Sequence, residues 1–155
     1  MIDAIDKKIL AALQEDSRQS IAEISQIAGL SISACHRRIG LLEKNGIIEN
    51  YSARLNGVAL GYLVMFFVEI SLESQSDAVL SAFEKAAQRQ EEVLECHLMT
   101  GSADYLLKIA AQDTQNYEKI YRRVIASLPH VSKIQSSLVM KTIKAWNGYP
   151  LSTVR

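Results

Sequence analysis

Between positions 33 and 44, hydrogen-bonding and basic side chains recur at a spacing that would gather them on one side of a helix. Cys35, Ile39 and Leu42 form an apolar face at i, i+4 and i+7. At 100° per residue, the opposite face carries Ser33, Arg37, Gly40 and Lys44, with His36 and Arg38 on the flanks. Arginine can donate two hydrogen bonds to guanine, and serine and lysine suit phosphates or bases. The pattern suits reading of the DNA major groove, although a solvated helix face carries the same charges.

Two further arginines flank this stripe along the chain. Arg18 precedes it, and Arg54 closes residues 47–54, which resemble a short strand leaving the helix. Either arginine could contact a phosphate, and solvent exposure without a role explains them almost equally well. The chain has 17 basic and 17 acidic residues and a net charge of zero. Any attraction for DNA must therefore come from the local placement of basic groups.

A second group of residues could bind a small zwitterion. Gly101 permits a backbone turn with positive φ and leaves amides open to a carboxylate. Asp104 could accept hydrogen bonds from an ammonium group, and Ser136 and Ser137 supply hydroxyls. From these residues alone, an ordinary hairpin turn at 101–104 is the simpler interpretation.

Little in the sequence supports catalysis. The chain holds three histidines, His36, His97 and His130, and two cysteines, Cys35 and Cys96, and none has the spacing of a metal site. No nucleophile–base pair or phosphate-binding loop is visible. We therefore expect no catalytic residue, no metal and no cofactor, and buried thiols rather than a disulfide.

The composition indicates a globular protein of the cytoplasm. Hydrophobic residues make up 48% of the chain and charged residues 22%, which is an ordinary balance. The first residues lack the basic patch and long apolar core of a secretory signal. The longest apolar run, residues 60–68, is too short to cross a bilayer, so we expect no membrane partner.

Residues 3–50 have the periodicity of three helices with short connections. Ser20 and Glu23 form the sequence signature of a capping box at the start of the second helix, and Gly29 follows its end. Ser31 or Ser33 would cap the third helix, which carries the polar stripe and runs to about residue 45. A capped helix, a short glycine turn and another helix are typical of a helix-turn-helix, and αα-hairpins share this spacing.

The pattern changes after residue 61. Strands are predicted at 62–72, 93–100, 104–111 and 131–143, and helices at 77–90 and 114–128. The order βαββαβ predicts a ferredoxin-like sandwich, so the fold class is α+β. We assign residues 1–55 to a winged-type helix-turn-helix domain, residues 56–61 to a hinge, and residues 62–155 to the sandwich domain.

The first predicted strand is apolar on both faces for half its length. Val64, Phe66 and Val68 share one face, while Met65 and Phe67 lie on the other. Helices cover only one face of such a sheet, and an exposed face usually alternates with polar residues. A second copy of the same sheet is the simplest cover for the other face, because most soluble oligomers are symmetric.

Several of these segments resemble the Lrp/AsnC family, the feast/famine regulators. Residues 30–39 (LSISACHRRI), 42–48 (LEKNGII) and Tyr51 resemble the family's helix-turn-helix, and residues 6–10 with Arg18 fit its first helix. Residues 100–107 (TGSADYLL) resemble its effector-domain signature. The resemblance covers nearly the whole chain. The sequence departs from the family at Ile32, where many members have proline, and at Gly40, where a charged residue is frequent.

The resemblance implies a transcription regulator that binds double-stranded DNA and responds to an amino acid. It also implies dimers that assemble further, commonly into octamers, with effector clefts between them. On this resemblance the clefts are lined by Thr100, Gly101, Asp104, Ser136 and Ser137. The neighbouring apolar residues favour leucine or methionine as effector; they are Leu98, Met99, Leu138 and Met140. Two alternatives stay open: a tetrapyrrole decarboxylase similar to this family, and an architectural DNA-binding protein without an effector.

Overall fold

The computed structural model describes residues 2–154 of the 155-residue chain. These residues form two compact units. One comprises residues 2–54 with 144–154 and is called the N-terminal unit; the other comprises residues 55–143 and is called the sheet unit. Within residues 2–154, no helix is both long enough and apolar enough to cross a membrane.

Three helices make up most of the N-terminal unit: α1 (Ala4–Glu15), α2 (Ile21–Ala28) and α3 (Ile32–Lys44). The predicted capping box forms at α2, where Ser20 and Glu23 satisfy each other's backbone N–H groups. Gly29 ends α2 in the left-handed region at φ +70°, which glycine adopts without strain. Ser31, rather than Ser33, caps α3.

The core of this unit brings one face of each helix together. Ile9 of α1, Ile24 of α2 and Cys35 of α3 are almost wholly buried, and Ile39 and Leu42 extend the contact along α3. Each such side chain contributes about 1.5–3 kcal/mol when fully removed from water. Because the apolar face of α3 points at α1 and α2, its opposite face lies on the surface.

Residues 144–154 fold back onto α1, whereas the sequence pattern had placed them with the second domain. Leu151, in a short 3₁₀ turn (Leu151–Thr153), packs against the helical core. The Gln14 side-chain amide donates to the Tyr149 carbonyl at 3.2 Å and accepts from the Tyr149 N–H at 2.8 Å. These contacts were not evident in the sequence because this segment has no helical or strand periodicity.

The segment between α3 and the sheet differs from its prediction. No strand forms at residues 47–54, because no neighbouring segment pairs with their backbone. Residues 56–62 make an ordered turn in which the Tyr62 N–H donates to the Gly57 carbonyl at 2.9 Å and the Ala59 N–H to the Asn56 side chain at 3.1 Å. Gly61 closes it with φ +91°.

The sheet unit confirms the predicted βαββαβ order. Its elements are β1 (Val64–Leu72), α4 (Asp77–Ala87), β2 (Val93–Leu98), β3 (Tyr105–Ala111), α5 (Thr114–Arg123), a 3₁₀ turn (Ile125–Ser127) and β4 (Val131–Leu138). The strands lie in the order β2-β3-β1-β4, and every pair is antiparallel. β4 ends earlier than predicted, opposite Phe66, because its partner β1 begins at Val64.

Both helices cover the same face of this sheet. Phe83 of α4 and Ile120 of α5 pack on the inner face of β1 and β3, where Val68, Leu107 and Ile109 are fully buried. The opposite face is called the outer face. Phe67, on that face of β1, remains 37% exposed, so the second apolar face of the first strand is open to solvent within this chain.

Candidate functional site

The exposed side of α3 begins at a polar cap. The Ser31 hydroxyl oxygen accepts the Ala34 N–H at 3.3 Å and lies 3.2 Å from the Ser33 hydroxyl. The predicted outward residues are all on the surface: Ser33, His36, Arg37, Gly40 and Lys44. A Cβ at Gly40 would meet nothing within 4 Å, so no other part of the chain packs there. Leu41 adjoins Arg37 one turn along and is 45% exposed.

Arg38, predicted to flank the DNA-reading stripe, is instead held by α1. Its Nη1 donates to Oδ2 of Asp3 at 2.8 Å and to Oδ1 of Asp6 at 2.7 Å. The Arg38 side chain is 25% exposed. The structure therefore separates Arg38 from the exposed group on α3.

The two aspartates that hold Arg38 also cap α1. Oδ1 of Asp3 accepts the N–H groups of Ile5 and Asp6 at 2.9 and 2.8 Å, and Oδ2 of Asp6 accepts the Asp3 N–H at 3.2 Å. The Asp6 backbone N–H, followed by Arg38, lowers the pKa of Asp3 below its ordinary value. Asp6 and then Asp3 raise the pKa of Arg38. Each carboxylate thus uses one oxygen for the helix end and one for Arg38.

The two flanking arginines lie in different environments. Arg18 is exposed in the turn after α1, where its backbone N–H donates to the Asp16 carboxylate at 2.9 Å. The Arg54 guanidinium donates to the Trp146 carbonyl at 2.6 Å, which ties it to the C-terminal segment. Arg54 keeps further N–H groups on an exposed side chain.

The predicted effector loop joins β2 to β3. Gly101 takes φ +127°, in agreement with the turn inferred for it, and a Cβ there would meet nothing within 4 Å. Thr100 beside it is exposed. The Met99 N–H donates to the Asp104 carbonyl at 2.8 Å, which closes the loop.

Asp104 already has partners within the chain. Its Oδ2 accepts the Leu72 N–H at 2.7 Å, and its Oδ1 accepts the Gln75 amide at 3.2 Å. Its own N–H donates to the Ile70 carbonyl at 2.9 Å. The side chain therefore fastens the loop to the end of β1.

Ser136 and Ser137 cannot serve one site through their hydroxyls, because successive strand residues point to opposite faces. Ser136 lies opposite Val68 on the inner face, where its oxygen accepts the Tyr117 hydroxyl at 2.5 Å. Ser137 lies opposite Phe67 on the outer face. The Phe66 ring stacks on that of Tyr117 at 3.6 Å between centroids, which fixes the tyrosine toward Ser136.

A shallow, solvent-open depression of about 40 Å³ lies on the outer face beside the loop. Its lining residues come from β1, β4 and the loop: Glu69, Ser71, Ser102, Ala103, Lys133 and Gln135. Glu69 faces Gln135 across β1 and β4, and Ser71 faces Lys133. One carboxylate and one ammonium therefore border the same depression, which suits a ligand that carries both charges.

The histidines and cysteines form no larger cluster with acidic residues in the described part of the chain. Within residues 2–154, no cluster of three or more His, Cys, Asp or Glu could hold a metal ion. His97 lies 3.3 Å from Glu95, and the Lys108 ammonium donates to the same carboxylate at 2.6 Å and lowers its pKa. Burial raises the pKa of the Cys35 and Cys96 thiols, and both are free.

Two stretches of the chain match two known sequence families. Residues 2–49 match a family described as winged helix-turn-helix DNA-binding, and residues 65–148 match the Lrp/AsnC ligand binding domain. The chain belongs to the Lrp/AsnC family. This Lrp/AsnC protein is accordingly a DNA-binding transcription regulator with a ligand-binding domain, as the sequence predicted.

Relatives of this Lrp/AsnC regulator match it over nearly their whole length. The leucine-responsive regulatory protein of Klebsiella pneumoniae is 38% identical over 98% of this chain and 93% of its own. A Neisseria meningitidis transcriptional regulator solved with L-methionine is 32% identical, with a TM-score of 0.94 over 100% of both chains. The feast or famine regulatory protein of M. tuberculosis, also solved with L-methionine, is 28% identical, with a TM-score of 0.82 over 96% of this chain and 99% of its own.

Two of these relatives are named as regulatory proteins and one as a transcriptional regulator, in agreement with the prediction that the chain is a regulator rather than an enzyme. Sequence reasoning missed two arrangements. Arg38 contacts residues more than thirty positions away, which no local spacing reveals. Glu69 and Lys133 come together only through the register of β1 and β4, although the position of Glu69 on the outer face was predictable from strand alternation.

Proposed function

We propose that this regulator reads a specific DNA sequence through the exposed face of α3 and that an apolar amino acid modulates its binding. The observation that carries the proposal is the position of Arg37, exposed on the side of α3 opposite the buried Cys35 and Ile39. In helix-turn-helix proteins the second helix of the motif enters the major groove. Ser33 and His36 lie on the same exposed surface and supply further hydrogen-bonding groups.

In this proposal the basic groups divide between bases and phosphates. Arg37 contacts a base edge, while Lys44 and Arg18 contact phosphates, which position the protein without reading sequence. Arg54 contributes a phosphate contact through the N–H groups that its bond to Trp146 leaves free. Arg38 is withdrawn from the DNA contacts, because two carboxylates already hold its guanidinium.

Replacement of Arg37 by alanine tests the DNA-reading face. Loss of one good base contact should cost about 1–3 kcal/mol on a duplex selected by the wild-type chain from random sequences, and much less on an unrelated duplex. Lys44→Gln is the matched control, since loss of a phosphate contact weakens both duplexes and flattens the salt dependence. If Arg37→Ala lowers the affinity for both duplexes equally, Arg37 contacts a phosphate rather than a base.

We propose the depression beside Gly101 as the effector site. The Glu69 carboxylate would accept hydrogen bonds from the α-ammonium, and the Lys133 ammonium would bind the α-carboxylate. The loop reaches the depression at Ser102 and Ala103, so the neighbouring amides near Thr100 and Gly101 would add to the carboxylate contact. Ser137 lies further along the same outer face. Asp104 supports the loop rather than the ligand, because its carboxylate accepts the Leu72 N–H and the Gln75 amide.

The choice of an apolar amino acid rests on the site and on the relatives. Glu69 and Lys133 would pair with the α-ammonium and the α-carboxylate of the ligand. The depression then has no other charged side chain to pair with a charged effector side chain. Relatives are named as leucine-responsive or were solved with L-methionine. Leucine and methionine are therefore the proposed effectors.

Thermal shift with each of the twenty amino acids tests this assignment. Leucine or methionine should raise the unfolding midpoint of the wild-type chain, and Lys133→Gln should abolish that shift while Lys108→Gln, on the same face, retains it. A shift that survives in Lys133→Gln would place the site elsewhere. If aspartate or lysine gives the largest shift, the assignment of an apolar effector is wrong.

We propose a homodimer formed through the apolar half of the outer face, assembling further toward an octamer. Met65 and Phe67 lie on this half of β1, while Glu69 and Ser71 continue the same face as polar residues. A partner sheet on the apolar half would leave the effector depression at the border of the interface. A ligand there would favour whichever assembly it binds more tightly.

We propose two domains as the sequence suggested, residues 1–55 for DNA binding and an effector domain that begins at residue 62. We end the effector domain at residue 143 rather than at the predicted 155, because residues 144–154 pack with the N-terminal unit. The proposed hinge is residues 56–61, and hydrogen bonds within the turn at 56–62 protect it more than the residues just before it, 51–55. Limited proteolysis should therefore cut first at 51–56, where the chain is exposed and lacks regular structure. As a DNA-binding regulator, the protein is proposed to act in the cytoplasm.

A further inference from the structure

We propose that Arg38 is a positioning residue for DNA recognition: held by Asp3 and Asp6, it sets the rotation of α3 and thereby aims Arg37 at the base it reads. This inference rests on the proposed DNA-reading role of α3. Arginine beside a recognition residue is ordinarily interpreted as a phosphate contact. The contacts of Arg38 give it a different role.

Arg38 connects one edge of α3 to the beginning of α1. A single nitrogen, Nη1 of Arg38, lies 2.8 Å from the Asp3 carboxylate and 2.7 Å from that of Asp6. The side chain of Asp6 is 13% exposed and that of Arg38 25%, so this pair is largely shielded from water. Charge-assisted hydrogen bonds of this kind are the stronger ones in proteins.

The aspartates are themselves fixed by the end of α1. Three backbone N–H groups, those of Asp3, Ile5 and Asp6, donate to their remaining oxygens. The carboxylates therefore cannot follow Arg38 if α3 turns, because they would leave the capped helix end unsatisfied. Asp3 is ionised at neutral pH, and its lowered pKa extends the pH range in which it can pair with Arg38 to more acidic values.

The apolar contacts of α3 restrain its rotation less sharply. Cys35, Ile39 and Leu42 pack by shape, and hydrophobic contact is not directional. A rotation of about 20° would move a side-chain tip lying about 6 Å from the helix axis by roughly 2 Å. A displacement of that size breaks a hydrogen bond. Arg37 lies next to Arg38 in sequence, so the bond that fixes one also fixes the direction of the other.

The double variant Asp3→Asn/Asp6→Asn separates positioning from phosphate contact, because the two roles predict opposite results. Asparagine is also a good helix cap, so α1 should still form. If Arg38 positions Arg37, the ratio of affinities for the selected and the unrelated duplex should fall at least about five-fold, the lower end of what one base contact contributes. This fall should occur although removal of two negative charges favours DNA binding in general.

The contrary result is equally specific. If Arg38 is a phosphate contact that the aspartates restrain, the double variant should bind both duplexes more tightly with an unchanged ratio. That result, or an unchanged ratio in a variant with wild-type circular dichroism, would overturn the proposal. If the double variant is unfolded, the single variant Asp6→Asn serves instead: it keeps the Asp3 cap and the Arg38–Asp3 contact, so the ratio should fall in the same direction by a smaller factor, and an unchanged ratio would overturn the proposal.

The salt dependence of binding gives an independent measurement. Arg38→Gln should lower the affinity ratio and leave the slope of log affinity against log salt unchanged, whereas loss of a phosphate contact lowers that slope by about one. Lys8→Gln, which removes an exposed charge from α1, is the matched control and should leave the ratio unchanged. A lower slope in Arg38→Gln would overturn the proposal. If Arg37→Ala has no effect on the affinity ratio, the proposed DNA-reading face is wrong. If Arg37→Ala lowers the ratio and the Arg38 and aspartate variants do not, only the positioning role of Arg38 is wrong.

Discussion

Replacement of Ser136 by alanine should destabilise the sheet unit and leave the effector response intact. The Tyr117 side chain is buried, and its hydroxyl donates to the Ser136 oxygen at 2.5 Å. Ser136 is exposed, so water can replace it, and loss of this hydrogen bond should cost about 0.5–1.5 kcal/mol. For a unit the size of residues 55–143, each kcal/mol lowers the unfolding midpoint by roughly 4–8 °C. The midpoint should therefore fall by at least about 2 °C.

Differential scanning calorimetry of a small variant set tests this reasoning. Tyr117→Phe removes the donor itself, so adding Ser136→Ala to Tyr117→Phe should cost much less than Ser136→Ala alone. Ser137→Ala, on the outer face, is the neighbouring control and should change stability by no more than about 0.5 kcal/mol. If Ser136→Ala leaves the midpoint unchanged and removes the response to leucine or methionine, Ser136 contacts the effector and our assignment of its face is wrong.

Three further predictions concern the dimer, acid stability and thiol reactivity. Phe67→Lys should convert the dimer into monomers in sedimentation, while Phe67→Leu retains it; a dimer that persists in Phe67→Lys would exclude this face. Hydrogen bonds from the Asp6 N–H and from Arg38 lower the pKa of Asp3 in the folded protein. The ionised Asp3 therefore stabilises the folded state above its pKa in the unfolded chain, near 3.9, and this stabilisation is lost as the pH falls through the lower pKa of the folded state. Asp3→Asn should therefore flatten the acid stability curve below about pH 4, and an unchanged curve would count against the Arg38 contact. Cys35 is fully buried with a raised pKa, so in a Cys96→Ser variant it should resist Ellman's reagent until the protein unfolds; rapid labelling of the folded variant would contradict its burial.

The features that the sequence predicted well are those set by local chemistry. Ser20 and Glu23 lie three residues apart in the chain and satisfy the same helix end, so their spacing alone identifies the capping box. Strand alternation placed Val68 inside and Phe67 outside. Period and capping therefore sufficed for the order of elements and for the exposed face of α3.

The features that the sequence missed depend on contacts between distant segments. Arg38 meets Asp3 across 35 positions, and Lys133 joins Glu69 at the depression through strand register. Leu151 of the C-terminal segment packs against the helical core, and no periodic pattern in the sequence predicts this contact. Ser136 and Ser137 are a different case, because alternation along a strand already implied that their side chains face opposite ways.

Wild-type affinity for the selected duplex, measured by fluorescence anisotropy with and without free amino acids, tests the central claim most directly. We predict that the chain prefers the selected duplex over a scrambled one and that leucine or methionine changes its affinity at least about five-fold, the lower end of usual allosteric coupling. Aspartate and lysine should leave that affinity unchanged. Equal affinity for both duplexes, or the same affinity in the presence of every amino acid, would contradict the proposal of an amino-acid-responsive DNA reader.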